Sequence, residues 1–126
     1  MKTVVIPKGY QQVMPYLILD NASAFIDFMK DVFDAVEIMR HMRDEQVIMH
    51  AEIKLAESVI MIADSTDTYG SSPAGMFVYV PDADATYNKA IATGATSIAA
   101  PSDQSYGRSA GVKDAYGNTW WITTNK

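Results

Sequence analysis

Hydrophobic and polar positions along the chain fall into two recurring patterns. Between positions 47 and 55, apolar Met49, Ala51, Ile53 and Leu55 alternate with polar His50, Glu52 and Lys54. Alternation with period two predicts a strand with one packed and one open face. Between 22 and 33, Ala22, Phe25, Ile26, Met29 and Phe33 recur at helical spacing, widened by Phe28 and Val32. That spacing predicts an amphipathic helix lying on a sheet. Asp20-Asn21 supplies its start, because either side chain can accept from the free N–H groups of a first turn. Asp34-Ala35 ends it.

The remaining elements follow from the same two periods. The run 13–19, VMPYLIL, is almost continuously apolar and predicts a strand buried on both faces, with Pro15 at an edge or bulge because it cannot donate to a ladder. Strands are predicted at 36–40, 58–63, 76–80 and 95–100. The charged stretch 40–45 reads as a solvated hairpin turn, 64–75 as a polar linker or flap, and 101–106 as a loop. Pro81-Asp82 leads into a second helix with Ala83, Tyr87, Ala90 and Ile91 on one face, and Gly94 stops it. The last stretch predicts two strands, 109–113 and 119–124, joined by Asp-Ala-Tyr-Gly-Asn, with Gly117-Asn118 as the positive-φ pair. Trp120 and Trp121 are neighbours on the final strand, so they point to opposite faces.

Written out, the two halves are one unit used twice: strand, helix, three strands. Ile60-Met61 recurs as Trp120-Trp121 and Asp34-Ala35 as Gly94-Ala95, at a shift close to sixty residues. Unit 1 spans about 10–64, the linker 65–75 and unit 2 about 76–126, within a single domain.

Composition narrows the partners. The chain has 126 residues, enough for one core, and carries a net charge of −5. An acidic chain without a basic run argues against nucleic acid and anionic membranes as partners. It has no cysteine, which removes disulfides, thiolate nucleophiles and cysteine metal sites. The apolar run near the N-terminus stops at Pro7, too short for a signal-peptide core, and no run approaches membrane-spanning length. A cytoplasmic location is the expectation. There is no phosphate-cradling glycine loop and no nucleophile elbow.

The tandem unit and its closing Asp-x-x-Gly-Asn turn resemble the vicinal oxygen chelate superfamily of glyoxalases, bleomycin resistance proteins and extradiol dioxygenases, most closely its PhnB-like branch. The residues that carry the resemblance are Pro15-Tyr16-Leu17, Asp20-Asn21-Ala22, Met49-His50-Ala51-Glu52, the run 58–64, Asp84-Ala85-Thr86-Tyr87, Gly94-Ala95-Thr96 and the C-terminal stretch. The resemblance implies an α+β fold of two βαβββ units, each curling its sheet into a half-barrel with the helix on the convex face and the ligand in the concave one. It also implies a homodimer. Metal-using relatives place four ligands, mostly His and Glu, on the first and last strands of each unit. The corresponding positions here fall at about Val13, Met61, Gly75 and Trp121, none of which suits a divalent ion.

Alternation then assigns the cavity face. His50 and Glu52 face it together, with Met61 on the next strand, Phe77 and Tyr79 in unit 2, and Trp121 on the last strand. Trp120 and Ile122 go to the core. Arg108, at the entry to its strand, is the candidate clamp for a carboxylate or phosphate at the pocket mouth. Trp121 offers a face for stacking on a planar or cationic ligand. His50 is either a filling residue, an acid/base group whose tautomer Glu52 would fix, or part of a displaced metal site. The expectation is a metal-free small-molecule-binding protein with no cofactor. The alternative is a glyoxalase- or dioxygenase-like enzyme using His50 and Glu52 as acid/base groups or as ligands of a divalent metal.

Overall fold

The computed structural model describes residues 3–126. Its elements run β1 (Tyr16–Leu19), α1 (Ala22–Phe33), β2 (Val36–Met42), β3 (Ile48–Leu55), β4 (Ser58–Asp64), β5 (Gly75–Tyr79), α2 (Ala83–Ala92), β6 (Thr96–Gln104), β7 (Gly107–Lys113) and β8 (Thr119–Asn125). The fold is α+β, built from two βαβββ units. Each unit makes its own four-stranded sheet, in the orders β1-β4-β3-β2 and β5-β8-β7-β6. The first strand of each unit pairs parallel with the last, and the other pairings are antiparallel. None of the helices is long and apolar enough to cross a membrane, among the described residues.

Local chemistry explains the helix bounds. Asn21 accepts from the Ala24 N–H and Asp82 from the Ala85 N–H, so each helix begins on a side-chain cap. Asp34 ends α1 in the left-handed conformation, at φ 58°. The repeat extends to a second cap. The Ala22 N–H donates to Asp64 at 2.8 Å, and the Ala83 N–H donates to Thr124 Oγ1 at 2.6 Å. In both units the end of the last strand thus holds the first turn of the helix, sixty residues apart.

One hydrophobic core serves both units. It joins Phe25, Ile26, Phe28, Met29 and Phe33 of α1 to Leu17, Ile53 and Ile62 of the first sheet and Val112, Trp120 and Ile122 of the second. Phe33 and Trp120 stack with ring centroids 4.8 Å apart, a contact between the units. The helices therefore cover one face of each sheet, and the opposite faces are left open.

Three expectations are corrected. The first strand starts at Tyr16 rather than at 13: the Pro15 carbonyl still accepts from the Met61 N–H, but Pro15 has no N–H to donate, and Val13 is 82% exposed. The strand is an edge with alternating burial and is not buried on both faces. The 101–106 loop is mostly strand, since β6 runs on through Pro101 to Gln104. As the outer strand of its sheet it has a free side, and a shift in register between Ala99 and Ser102 accommodates the proline. Asn118 does not take a positive φ; Gly117 alone does, at 96°. Asn118 is instead buried and donates to Asp114, whose carboxylate also accepts from the Tyr116 and Asn118 N–H groups and the Trp120 indole N–H. The turn is organised by a buried aspartate.

Candidate functional site

The open face of the first sheet carries the chemistry. Register places Tyr16 beside Met61, Met61 beside Glu52 and Glu52 beside Met39, so all lie on that face. His50, two positions from Glu52, shares it. Ala51, Ile53 and Ile62 point the other way and are buried. The alternation in β3 matches the burial of Ala51 and Ile53, but Met49, expected on the packed side, is exposed and Ile48 is buried in its place.

His50 and Glu52 stand in a hydrogen-bonded row. His50 Nε2 lies 2.8 Å from Glu52 Oε2. His50 Nδ1 lies 2.9 Å from the Tyr16 hydroxyl. The Tyr10 hydroxyl donates to Glu52 Oε1 at 2.5 Å. An ionised Glu52 can only accept, so the proton sits on Nε2, and in the neutral imidazole Nδ1 accepts from Tyr16. Glu52 is 5% exposed. Burial by itself would raise its pKa; the hydrogen bonds from Tyr10 and His50 outweigh that and hold the carboxyl below its ordinary value. The same hydrogen bond, followed by burial and the carboxylate charge, pushes the Tyr10 phenol up. The row can pass a proton between Tyr16 and Glu52 through the imidazole, and it presents an anion to the space above it.

That space has walls. The segment from Val4 to Met14 crosses the open face as a strap ahead of β1. Two clasps fix it. One is Tyr10 on Glu52. The other is the Gln11 amide, which donates to the Val59 carbonyl at 2.8 Å and accepts from the Val59 N–H at 3.2 Å. Between strap and sheet lies a cavity of about 410 Å³, walled by Val4, Val5, Ile6, Pro7, Met14 and Met61 with Glu52 at its polar end.

The second sheet's open face is aromatic. Phe77 is paired with Trp121 and Tyr79 with Thr123. Phe77 contacts Tyr79 and Tyr106, at centroid distances of 5.3 and 6.2 Å. A Cβ on Gly111 would fall 2.5 Å from Trp121 Cζ3, so the absence of a side chain there lets the indole lie against β7. Trp120 and Ile122 are buried in the core, as the alternation predicted.

The site expected from sequence is therefore divided. The structure brings His50, Glu52 and Met61 together on one sheet, and Phe77, Tyr79 and Trp121 together on the other. Among the described residues no hydrogen bond or ring contact joins the two groups. Arg108 belongs to neither. It shares the helix-bearing face with Ala110 and Val112 and binds Asp84 in the first turn of α2 through Nε and Nη2 at 2.9 and 3.0 Å, with Asp103 at 3.3 Å. Its guanidinium is taken up there, and its hydrogen bonds hold the Asp84 carboxyl below the ordinary range despite some burial. Sequence reasoning missed Tyr10, Tyr16 and the strap. Tyr16 sits in the middle of a run read as almost continuously apolar, and Tyr10 lies in a segment without periodicity.

A metal was tested against the residues. The neighbours of Met61 and Trp121 on the parallel first strands are Tyr16 and Phe77, not Val13 and Gly75. Tyrosine, methionine, phenylalanine and tryptophan form no donor set for a divalent ion. Among the described residues no group of three or more His, Asp or Glu side chains could hold one. The residues present do not fit the metal that the fold often carries.

Two repeated βαβββ units with open faces and a closing aspartate turn define a class, and the comparisons agree. The chain belongs to the Glyoxalase/Bleomycin resistance protein/Dioxygenase superfamily, whose family model matches residues 10–122. It is 30% identical over 118 residues to an uncharacterized protein of Mycobacterium bovis, covering 84% of this chain and 78% of that one. An uncharacterized protein of Mycobacterium tuberculosis is likewise 30% identical, covering 84% and 69%. Similar solved structures include TioX from Micromonospora sp. ML1, with a TM-score of 0.76 at 21% identity over 92% of this chain and 99% of that one. A PhnB protein from Bacillus cereus gives 0.73 at 19% identity, over 90% and 99%. At these identities the structures speak for the fold alone.

Proposed function

We propose that the protein binds a small organic molecule without a metal, in the manner of the resistance proteins of its superfamily. The observation that carries this is the pairing of Tyr16 with Met61 and of Phe77 with Trp121. Where the superfamily's metal-using members place His and Glu, these strands present rings and a thioether, groups that bind by contact and stacking. Each open face is one half of a lining. The fold supports a homodimer in which the aromatic half of one protomer meets the strapped half of its partner. Metal analysis of protein purified without chelator tests the reading. The expected content is far below one ion per chain. Stoichiometric Zn, Ni, Mn or Fe that disappears in His50→Ala would overturn it. Once a ligand is in hand, Trp121→Ala should weaken it, and unchanged affinity would remove the stacking role.

A second reading is favoured by one observation, the row Tyr16–His50–Glu52–Tyr10. It has the geometry of an acid/base relay, with Glu52 holding the imidazole in one tautomer. Metal-depleted protein that still converts a two-carbon oxoaldehyde, and loses this ability in His50→Gln, would move the protein to the enzymes. Failure to convert it would leave the binding role.

A further inference from the structure

The cavity beneath the strap has a charge asymmetry that the general binding role does not explain. Its walls are apolar apart from the Tyr10 and two glutamine side chains, and among the described residues Glu52 is the only charged group that lines it. Among the described residues no Lys or Arg pairs with Glu52, and its sole ion-pair partner is His50. Each carboxylate oxygen accepts one hydrogen bond, from Tyr10 on Oε1 and from His50 on Oε2. A carboxylate has room for about four. Two acceptor positions are therefore unspent, on a nearly buried anion at the end of an apolar chamber.

We propose that this chamber takes hydrophobic ammonium compounds, with Glu52 as their counter-ion and the strap residues Val4, Ile6 and Pro7 packing on the apolar part. The proposal rests on the small-molecule-binding reading and names the ligand chemistry of its first half-site. A cation supplies what the chamber lacks. It donates to the free acceptor positions of Glu52 without displacing Tyr10 or His50, and it is attracted by an anion in a setting of low dielectric, where a charge pair is stronger than in water. An anionic ligand of the same shape meets uncompensated repulsion. A neutral alcohol gains the packing and one weaker hydrogen bond. The net charge of −5 also favours the approach of cations. The carboxyl is ionised through the neutral range, which keeps the counter-ion in place.

Three probes with a common phenethyl body separate this from the broader reading: phenethylammonium, phenethyl alcohol and phenylpropionate, titrated calorimetrically into the wild-type protein near neutral pH. The expected order is ammonium tighter than alcohol by about ten-fold or more, since the alcohol donates to the same carboxylate without an opposite charge of its own, with the carboxylate weakest. Glu52→Gln keeps acceptor and shape but removes the charge. In that variant the ratio of ammonium to alcohol affinity, compared within the one protein, should fall to near parity. The wild-type ranking needs no variant to fold. Alcohol binding as tight as ammonium binding, or a preference that survives Glu52→Gln, would overturn the proposal and leave the binding reading standing. Absence of binding by all three would overturn both for this chamber.

Discussion

At the scale of single residues, Glu52 decides the character of the open face. A carboxylate buried this deeply is normally tolerated only when paired or well hydrogen-bonded. Here Tyr10 and His50 provide the bonds, and the linkage has a definite sign. The Glu52 pKa is depressed in the folded chain, so its contribution to stability is fully present above the unfolded-state value and is lost as pH falls through the folded one. The Tyr10 pKa is raised, so its contribution is present below the unfolded tyrosine value and is lost as pH rises through the folded one. Carbon-detected NMR titration should find the Glu52 carboxyl titrating below the ordinary glutamate value, with the Tyr10 phenol above the ordinary tyrosine value. Glu52→Gln should remove the upward displacement of Tyr10; a phenol that stays displaced in that variant would refute the coupling. Gly111 acts on the other face in a simpler way. A methyl group there occupies the place of the Trp121 ring, so the platform depends on a residue that has no chemistry of its own.

At the scale of elements, most of the fold was legible because period and caps agreed. The buried set of α1, from Ala22 to Phe33, is the set that helical spacing picked out. β3 shows its alternation openly because one face meets a helix and the other does not. What periodicity could not show was where pairing stops. β1 lost its first three expected residues because hydrophobicity alone does not make a ladder, and β6 kept its proline because an edge strand has a side that donates to nothing. The turn between β3 and β4 also escaped composition. Ala56 takes φ 52°, a left-handed conformation that an alanine adopts at a cost of about 1 kcal/mol relative to glycine. Ala56→Gly should therefore stabilise the protein by about 0.5 kcal/mol at most, net of the extra freedom glycine has when unfolded. Urea unfolding measures it, and a lower midpoint in the variant would contradict this account of the turn.

At the scale of the whole molecule, alternation grouped His50, Glu52 and Met61 and grouped Phe77, Tyr79 and Trp121, but misplaced Arg108 and could not say which faces meet. His50, Glu52 and Met61 share one sheet, while Phe77, Tyr79 and Trp121 share another, and local patterns carry no information on how two sheets are set against each other. The strap was invisible for a related reason. It is held by Tyr10 to Glu52 and by Gln11 to Val59, side-chain clasps that span 42 and 48 residues and leave no period behind. The aromatic half remains half exposed in one protomer, with Phe77 at 50% and Tyr106 at 50%. In the proposed pairing of complementary halves this ring surface is the part that a partner protomer would cover. Sedimentation should give a mass near twice the 13.9 kDa chain, and Phe77→Asp should shift it toward one. A wild-type protein that sediments as a single chain would end the proposal of two complementary halves.

The strap also separates two kinds of inheritance. The earliest residue of the hydrophobic core is Leu17, whereas Val4 to Met14 supply most of the chamber wall. Substitutions at Val4, Val5, Ile6 and Pro7 can reshape what the chamber admits while the Tyr10 and Gln11 clasps and the core stay in place. Ligand range in such a protein can drift quickly on a slowly changing frame, and an affinity tag fused ahead of the strap would be an experiment on specificity as much as an aid to purification.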